Sequence, residues 1–351
     1  MSKHIAARLH TQDRYRILSL DGGGTRGIIS IAFLEQIEAL LQARLGRGDD
    51  FVLGDYFDLI GGTSVGGLVA TQLALGARVS VIRDNFMAWM PEIFRKRRLG
   101  FKGVSDLYDA RPLSGKIRSV VGMERMDSEK LKTGLAIVAK RADTGSVWII
   151  TNNPTCKYWN RADDRTPNAA YKLHDVLRAT TAAPTFFRPS EIEIFEGLDG
   201  NSPFTKKGTF VDGAVSPHNN PSLQLFKLAR LKGYALNWPA GEDKLLMISI
   251  GTGTHPTEVK KSALLANEAS DALLGMIGDG QQLALAIMQW LSTPRDPWEI
   301  DREIGPQSDD LLTDRAMLSF QRYDMPLERR WLENKDEKLT GRRVGPHLAE
   351  A

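Results

Sequence analysis

The pentapeptide Gly62-Thr63-Ser64-Val65-Gly66 lies between an apolar, strand-like run at 56–62 (YFDLIGG) and a segment at 68–75 (LVATQLAL) that reads as a helix stopped by Gly76. A serine flanked two residues away by glycines can sit at the apex of a turn too sharp for larger side chains. The pattern therefore commits the chain to a strand–turn–helix unit that presents a hydroxyl at the end of a strand. A second junction of the same kind precedes it. RILSL at 16–20 ends in Asp21-Gly22-Gly23-Gly24-Thr25-Arg26-Gly27, and Leu34, Ile37, Leu41 and Leu45 then recur at helical spacing.

Further strands are expected at 135–139 (LAIVA), 146–151 (SVWIIT), 209–213 (TFVDG) and 244–254 (KLLMISIGTGT). Strands alternating with helices predict an α/β fold of three layers, a central, mostly parallel sheet flanked by helices. We divide the chain into an N-terminal segment (1–14), a main domain (15–255) and a charge-rich helical C-terminal extension (256–351) packed on the same core. Residues 271–292 read as one or two helices, broken near Gly278 and Gly280.

Composition narrows the functional classes. Lys and Arg exceed Asp and Glu only by 46 to 43, a formal charge of +3, too small an excess for general binding to DNA or RNA. Cys156 is the only cysteine, which rules out an internal disulfide and multi-cysteine zinc sites and suits a reducing compartment. The first sixteen residues carry charges throughout, unlike a secretory signal. The most apolar later stretch, 283–291, falls short of the ~20 residues that cross a bilayer. The expectation is a cytoplasmic chain that meets a membrane peripherally if at all, with no metal and no cofactor.

Three successive glycines let several backbone N–H groups converge at a helix start, an arrangement suited to an anion or a developing oxyanion. Gly22, Gly24 and Gly27 also fit GxGxxG. A dinucleotide site would want an acidic residue at a strand end ~20 residues on, whereas Glu35 and Glu38 fall inside the expected helix. Ser64 needs a base. His4 and His10 lie in the N-terminal segment, His347 in the charged tail, His174 before any candidate acid, and His255 after a GTGT turn. His218, six residues beyond Asp212, is the serious histidine candidate, although a locally bonded loop histidine is the plainer reading. Asp212 ends a short apolar strand, and Gly213 and Ala214 leave its carboxylate unobstructed. A carboxylate that accepts the serine's hydrogen bond can take its proton directly in a partly dehydrated site.

Together DGGGTRG (21–27), GTSVG (62–66) and DGA (212–214), with 42 residues from Gly22 to Ser64 and 148 from Ser64 to Asp212, closely resemble the patatin-like phospholipase family over roughly residues 15–255. The resemblance implies a Ser64 nucleophile and an Asp212 proton acceptor, without metal. It also implies an oxyanion hole at Gly22, Gly23, Gly24 and Thr25, supported by Arg26, Gly27, Gly62, Gly66, Gly213 and Ala214. SFQRYDMPL at 319–327 and the short extension look like bacterial family members that a cyclic di- or trinucleotide switches on in antiphage defence. That likeness implies a nucleotide activator, the cell's own inner-membrane phospholipids as substrate and peripheral contact with that membrane; assembly as a homo-oligomer is compatible with it. A constitutive lipid hydrolase and a ligand-sensing binding protein on the same fold are the alternative readings.

Other features carry less. MAWMPEIFRKRRLGFKG at 87–103 places Trp89, Met90, Phe94 and Phe101 around Arg95, Lys96, Arg97 and Arg98, which suits a lipid interface or a phosphorylated activator as well as a solvated helix end. TNNPTCKYWN at 151–160 reads as a core edge and loop, and GTGT at 251–254 as a strand-end turn facing the site.

Overall fold

In the computed structural model, residues 3–95, 107–160, 166–199, 202–254, 265–300 and 303–327 are described. The strands are β1 (Tyr15–Leu20), β2 (Leu59–Thr63), β3 (Gly134–Arg141), β4 (Val147–Thr151), β5 (Ser190–Asp199), β6 (Ser202–Asp212), β7 (Leu245–Ile250) and β8 (Ser319–Tyr323). The helices are α1 (Lys3–His10), α2 (Gly27–Leu45), α3 (Leu53–Tyr56), α4 (Val65–Ala74), α5 (Val79–Ile93), α6 (Ala110–Val121), α7 (Leu173–Thr180), α8 (Ser222–Arg230) and α9 (Leu265–Trp290).

One sheet runs β5-β6-β3-β2-β1-β7-β8, with β4 also paired to β3. Its centre, β3-β2-β1-β7-β8, is parallel, and β4, β6 and β5 join antiparallel. This is the three-layer α/β arrangement that the alternation of strands and helices predicts. Central parallel strands are covered on both faces and so need continuous apolar runs. Ile17, Leu18 and Leu20 of β1, Leu59 and Ile60 of β2 and Leu135 to Ala139 of β3 are accordingly all buried. Gly61 interrupts β2 because α8 lies against it: a Cβ there would fall 2.4 Å from the Leu225 side chain.

The register sets the site. Leu20 lies opposite Gly62 on one side and Ile250 on the other, so β1, β2 and β7 end at the same level. Thr63 pairs with Val138, and the next residue of β3, Ala139, pairs with Asp212. Ser64 and Asp212, 148 residues apart in the chain, therefore leave the sheet side by side at the carboxyl edge, where open α/β sheets place ligands.

Several segments differ from the sequence-based expectation. The N-terminal segment forms α1, whose Ile5 and Leu9 enter the core. The buried Trp238 stacks on Tyr15 at 4.1 Å and donates its indole N–H to the Leu9 carbonyl (2.7 Å), holding α1 against β1. The strand expected at 209–213 is the end of a long hairpin, β5–β6. α9 is unbroken through Gly278 and Gly280. Gly280 serves close packing, since a Cβ there would lie 2.7 Å from Pro217 Cα. The extension also supplies β8, a strand of the central sheet. Of the basic segment, Arg95 is described and exposed, whereas Lys96, Arg97, Arg98 and Phe101 lie outside the described residues, as do His255 and His347. No helix among the described residues is long and apolar enough to cross a membrane.

Candidate active site

Ser64 sits between β2 and α4 with φ 55° and ψ −126°, a conformation that costs a residue with a Cβ about 1–3 kcal/mol and persists only where its surroundings enforce it. Two glycines make the turn sterically feasible. A Cβ on Gly62 would lie 2.2 Å from the Gly66 carbonyl carbon, and one on Gly66 would lie 2.3 Å from the Leu20 carbonyl oxygen, so the elbow closes on itself and on the end of β1. The Ser64 N–H donates to Thr180 Oγ1 (2.8 Å), whose own hydroxyl donates to the Val138 carbonyl (2.5 Å). The apex is thus tied to the end of α7 and, through Thr180, to β3.

Ser64 Oγ donates to Asp212 Oδ2 at 2.6 Å. Asp212 is 2 % exposed, its Oδ1 accepts the Ala214 N–H (2.8 Å), and its own N–H donates to the Ala182 carbonyl (3.0 Å). Gly213 permits the carboxylate to sit this close to the sheet, because a Cβ there would fall 2.5 Å from the Val138 carbonyl oxygen. Burial pushes the Asp212 carboxyl up to about 7, against the opposing pull of the hydrogen bonds from Ser64 and Ala214. A carboxylate so poised near neutrality, bonded to a serine hydroxyl, has the position and the proton affinity of a general base.

His218 occupies a different role. Its carbonyl accepts the Thr63 hydroxyl (2.7 Å), its ring makes no hydrogen bond to Ser64 or Asp212 among the described residues, and burial, with Lys227 nearby, holds its imidazole down at about 4 and hence neutral. A Ser–His–Asp chain does exist elsewhere: Ser114 Oγ lies 2.8 Å from His174 Nε2, and His174 Nδ1 lies 2.9 Å from Asp175. Ser114 stands inside the regular helix α6, with no strained elbow and no converging amides, so the chain ties α6 to α7 rather than arming a nucleophile.

The glycine turn meets the elbow directly, since a Cβ on Gly22 would lie 3.2 Å from Ser64 Cβ. Of its four amides, one is already used. Gly22 N–H donates to the Asn219 carbonyl (3.1 Å), which removes Gly22 from the expected set of oxyanion donors. The N–H groups of Gly23, Gly24 and Thr25 have no acceptor among the described residues; Gly23 and Gly24 are half-buried and Thr25 is exposed. Gly24 has φ +57°, which turns the chain into the one-turn helix Gly24–Arg26 that leads into α2. Arg26 reaches the Gly253 carbonyl (3.2 Å), and Gly27 packs where a Cβ would meet Val65 and Phe86.

Sequence reasoning missed the residues that brace this turn. Asn219 Nδ2 (3.2 Å) and Thr252 Oγ1 (2.8 Å) both donate to the Gly22 carbonyl, and Thr180 Oγ1 accepts the Ser64 N–H. Thr252 stands in the GTGT turn expected to face the site and Asn219 follows His218, but no local pattern singles out either one. Among the described residues no group of three His, Cys, Asp or Glu side chains gathers as a metal site would require. A cavity of ≈ 870 Å³ beside β4, lined by Trp148, Ile150, Tyr171 and Tyr234 among others, includes none of the residues of the elbow, the glycine turn or the Asp212 loop.

Residues 18–226 match the family model described as patatin-like phospholipase. The chain belongs to the patatin-like phospholipase family. It is a lipid acyl hydrolase, of the serine carboxylic-ester hydrolase class. Among its relatives is a "cGAMP-activated phospholipase" of Vibrio cholerae serotype O1, 30% identical over 292 residues that cover 80% of this chain and 75% of the relative. A protein of the same name from Escherichia coli is 28% identical, with 78% and 72% covered, and Patatin-1-Kuras 2 of Solanum tuberosum is 29% identical, with 69% and 64% covered. The matched region ends at residue 226, before β7 and β8.

Proposed function

We propose that this phospholipase works through a Ser64–Asp212 dyad and an acyl-serine intermediate. The observation that carries the reading is the 2.6 Å hydrogen bond between Ser64 Oγ and the buried Asp212 carboxylate. Asp212 takes the hydroxyl proton as Oγ attacks the ester carbonyl of a phospholipid. The resulting oxyanion is stabilised by the N–H groups of Gly23, Gly24 and Thr25 and by the N-terminal dipole of α4; one such donor is worth about 2.7–4 kcal/mol of barrier. As the intermediate collapses, the proton passes from Asp212 to the departing alcohol oxygen and the acyl group stays on Ser64. Water, deprotonated by Asp212, then attacks the acyl-enzyme, and Ser64 recovers its proton as the fatty acid leaves.

The substrate is the phospholipid of the cell's own inner membrane, reached peripherally, and the trigger is a cyclic di- or trinucleotide. Two relatives aligned over more than three quarters of this chain are named for activation by cGAMP, which supports the second part of this reading. Purified protein mixed with phosphatidylglycerol and phosphatidylethanolamine vesicles, with and without a panel of cyclic nucleotides, is expected to release fatty acid only with one of the nucleotides. Release without any nucleotide would make the enzyme constitutive, and release that survives Ser64→Ala would remove the serine from the mechanism.

A further inference from the structure

Gly22, Gly23 and Gly24 have no side chains with which to hold the turn, so much of what fixes it comes from neighbouring segments. Gly22 is clamped by Asn219 and Thr252, as described above. The residue before it, Asp21, is fully buried, and its carboxylate is gripped by Arg322 from both sides: Nη1 donates to Oδ1 (2.9 Å) and Nη2 to Oδ2 (2.7 Å). Gln281 of α9 adds a 3.3 Å bond to Oδ2. Arg322 stands in β8 on the same face as the buried Phe320, an inward position where an apolar residue is the ordinary choice.

The same guanidinium binds Asp324 (Nη2 to Oδ2, 2.7 Å) and Ser249 Oγ (2.8 Å). Asp324 in turn accepts the Gly253 N–H (2.8 Å) and the Thr254 hydroxyl (3.0 Å), fixing the loop whose Thr252 holds the Gly22 carbonyl. Asp21 and Thr252 therefore reach the glycine turn as two arms of one buried ionic unit, and Arg322 is its hub. The side chains of Arg322, Asp21 and Asp324 are 5 %, 0 % and 4 % exposed, so water cannot substitute for any partner that is removed. A planar fork with fixed donors imposes an orientation that a point charge does not.

We infer that Arg322, with Asp324, is a positioning residue for the oxyanion hole, so that the chain's last described strand, outside the matched family region, sets the geometry of the turn that follows Asp21, 301 residues earlier. The inference rests on the oxyanion reading of the glycine turn given above.

The test uses the full-length protein, activated as found in the vesicle assay, and compares wild type with Arg322→Gln, Arg322→Lys and Asp324→Asn. Arg322→Gln is expected to lower kcat on the order of 10²-fold, the loss seen when one oxyanion donor is displaced, with KM little changed. Phosphonylation of Ser64 by a fluorophosphonate, whose P=O must enter the same hole, is expected to slow by a similar factor. Arg322→Lys, which keeps the charge and loses the fork, should recover only part of either rate. Thermal unfolding counts the folded fraction, and rates are taken per folded molecule. Should Arg322→Gln not fold, Asp324→Asn, which leaves the Arg322–Asp21 pair in place, is expected to lower kcat and phosphonylation in the same direction by a smaller factor. If folded variants lose thermal stability but keep wild-type kcat and phosphonylation, the ionic unit is only structural and the inference is overturned. Ser64→Ala run alongside separates the two readings: activity in that variant sinks the dyad, whereas its inactivity beside fully active Arg322 variants sinks this inference alone.

Discussion

Thr180→Val removes one oxygen and keeps the shape of the side chain. In the wild type that oxygen accepts the N–H of the strained Ser64 and donates to the Val138 carbonyl. In the variant the Ser64 N–H is left in a water-poor site without its acceptor, which costs about 1–3 kcal/mol; the Val138 carbonyl, on a strand interior with a second lone pair, adds less. Stability in urea should therefore fall by about 1–3 kcal/mol. If the elbow relaxes from its φ of 55° and Oγ leaves its line to Asp212, the same free energy appears as a roughly 5- to 150-fold loss of kcat, since each 1.36 kcal/mol is tenfold. The assay is urea unfolding beside hydrolysis of a soluble ester, so that membrane binding does not enter, with Thr180→Ser as a control that keeps the oxygen and should stay near wild type. A Thr180→Val protein within about 0.5 kcal/mol of wild type and with unchanged kcat would show that the elbow holds itself, and the argument from Thr180 would be refuted.

Four further outcomes follow from the same geometry. Because Asp212 is raised to about 7 by burial and acts as a carboxylate, kcat/KM should fall about tenfold between pH 8 and pH 6; a flat profile over that range would remove Asp212 as the base. By linkage the same raised value disfavours the charged native form, so this group's contribution to stability should decline as pH rises from about 4 through 7, and Asp212→Asn should flatten that part of a stability-versus-pH curve while abolishing activity. Gly66→Ala puts a methyl 2.3 Å from the Leu20 carbonyl, and overpacking of about 1–3 kcal/mol or more should show as a lower urea midpoint together with loss of hydrolysis, whereas wild-type behaviour would mean that the elbow can open. His218→Ala should leave the pH profile in place, because the neutral ring makes no bond to the dyad; an inactive but folded variant would restore the histidine as the base.

What could be read from the sequence was chemistry confined to short windows. Glycines two residues on either side of Ser64, and the triple glycine after β1, announce turns because the steric need they meet is local, and the helix after each turn shows in its own periodicity. Asp212 was legible because it ends a strand and precedes Gly213. The braces were not legible, because they are pairings across the fold: Arg322 in SFQRYDMPL looks like a solvated strand residue until Asp21 is placed opposite it. α1 was lost to its charges although Ile5 and Leu9 keep a helical spacing of four. The β5–β6 hairpin is not legible because its alternation, EIEIF, is as charged as it is apolar, and the sequence leaves one helix or two open at 271–292 because Gly280 answers to Pro217, a packing partner far along the chain.

Return of the surroundings of Ser64 to one place requires the chain ends of β1, β2, β6 and β7, the end of α7, the loop at Asn219 and the strand that carries Arg322. Such contacts, separated by tens to hundreds of residues, close late in folding, after the loop entropy between them has been lost. Recovery of esterase activity after dilution from denaturant should therefore track the slowest phase of refolding rather than the early gain of helix. Far-UV ellipticity that returns ahead of hydrolysis would be the kinetic signature of a site assembled from the whole sheet at once.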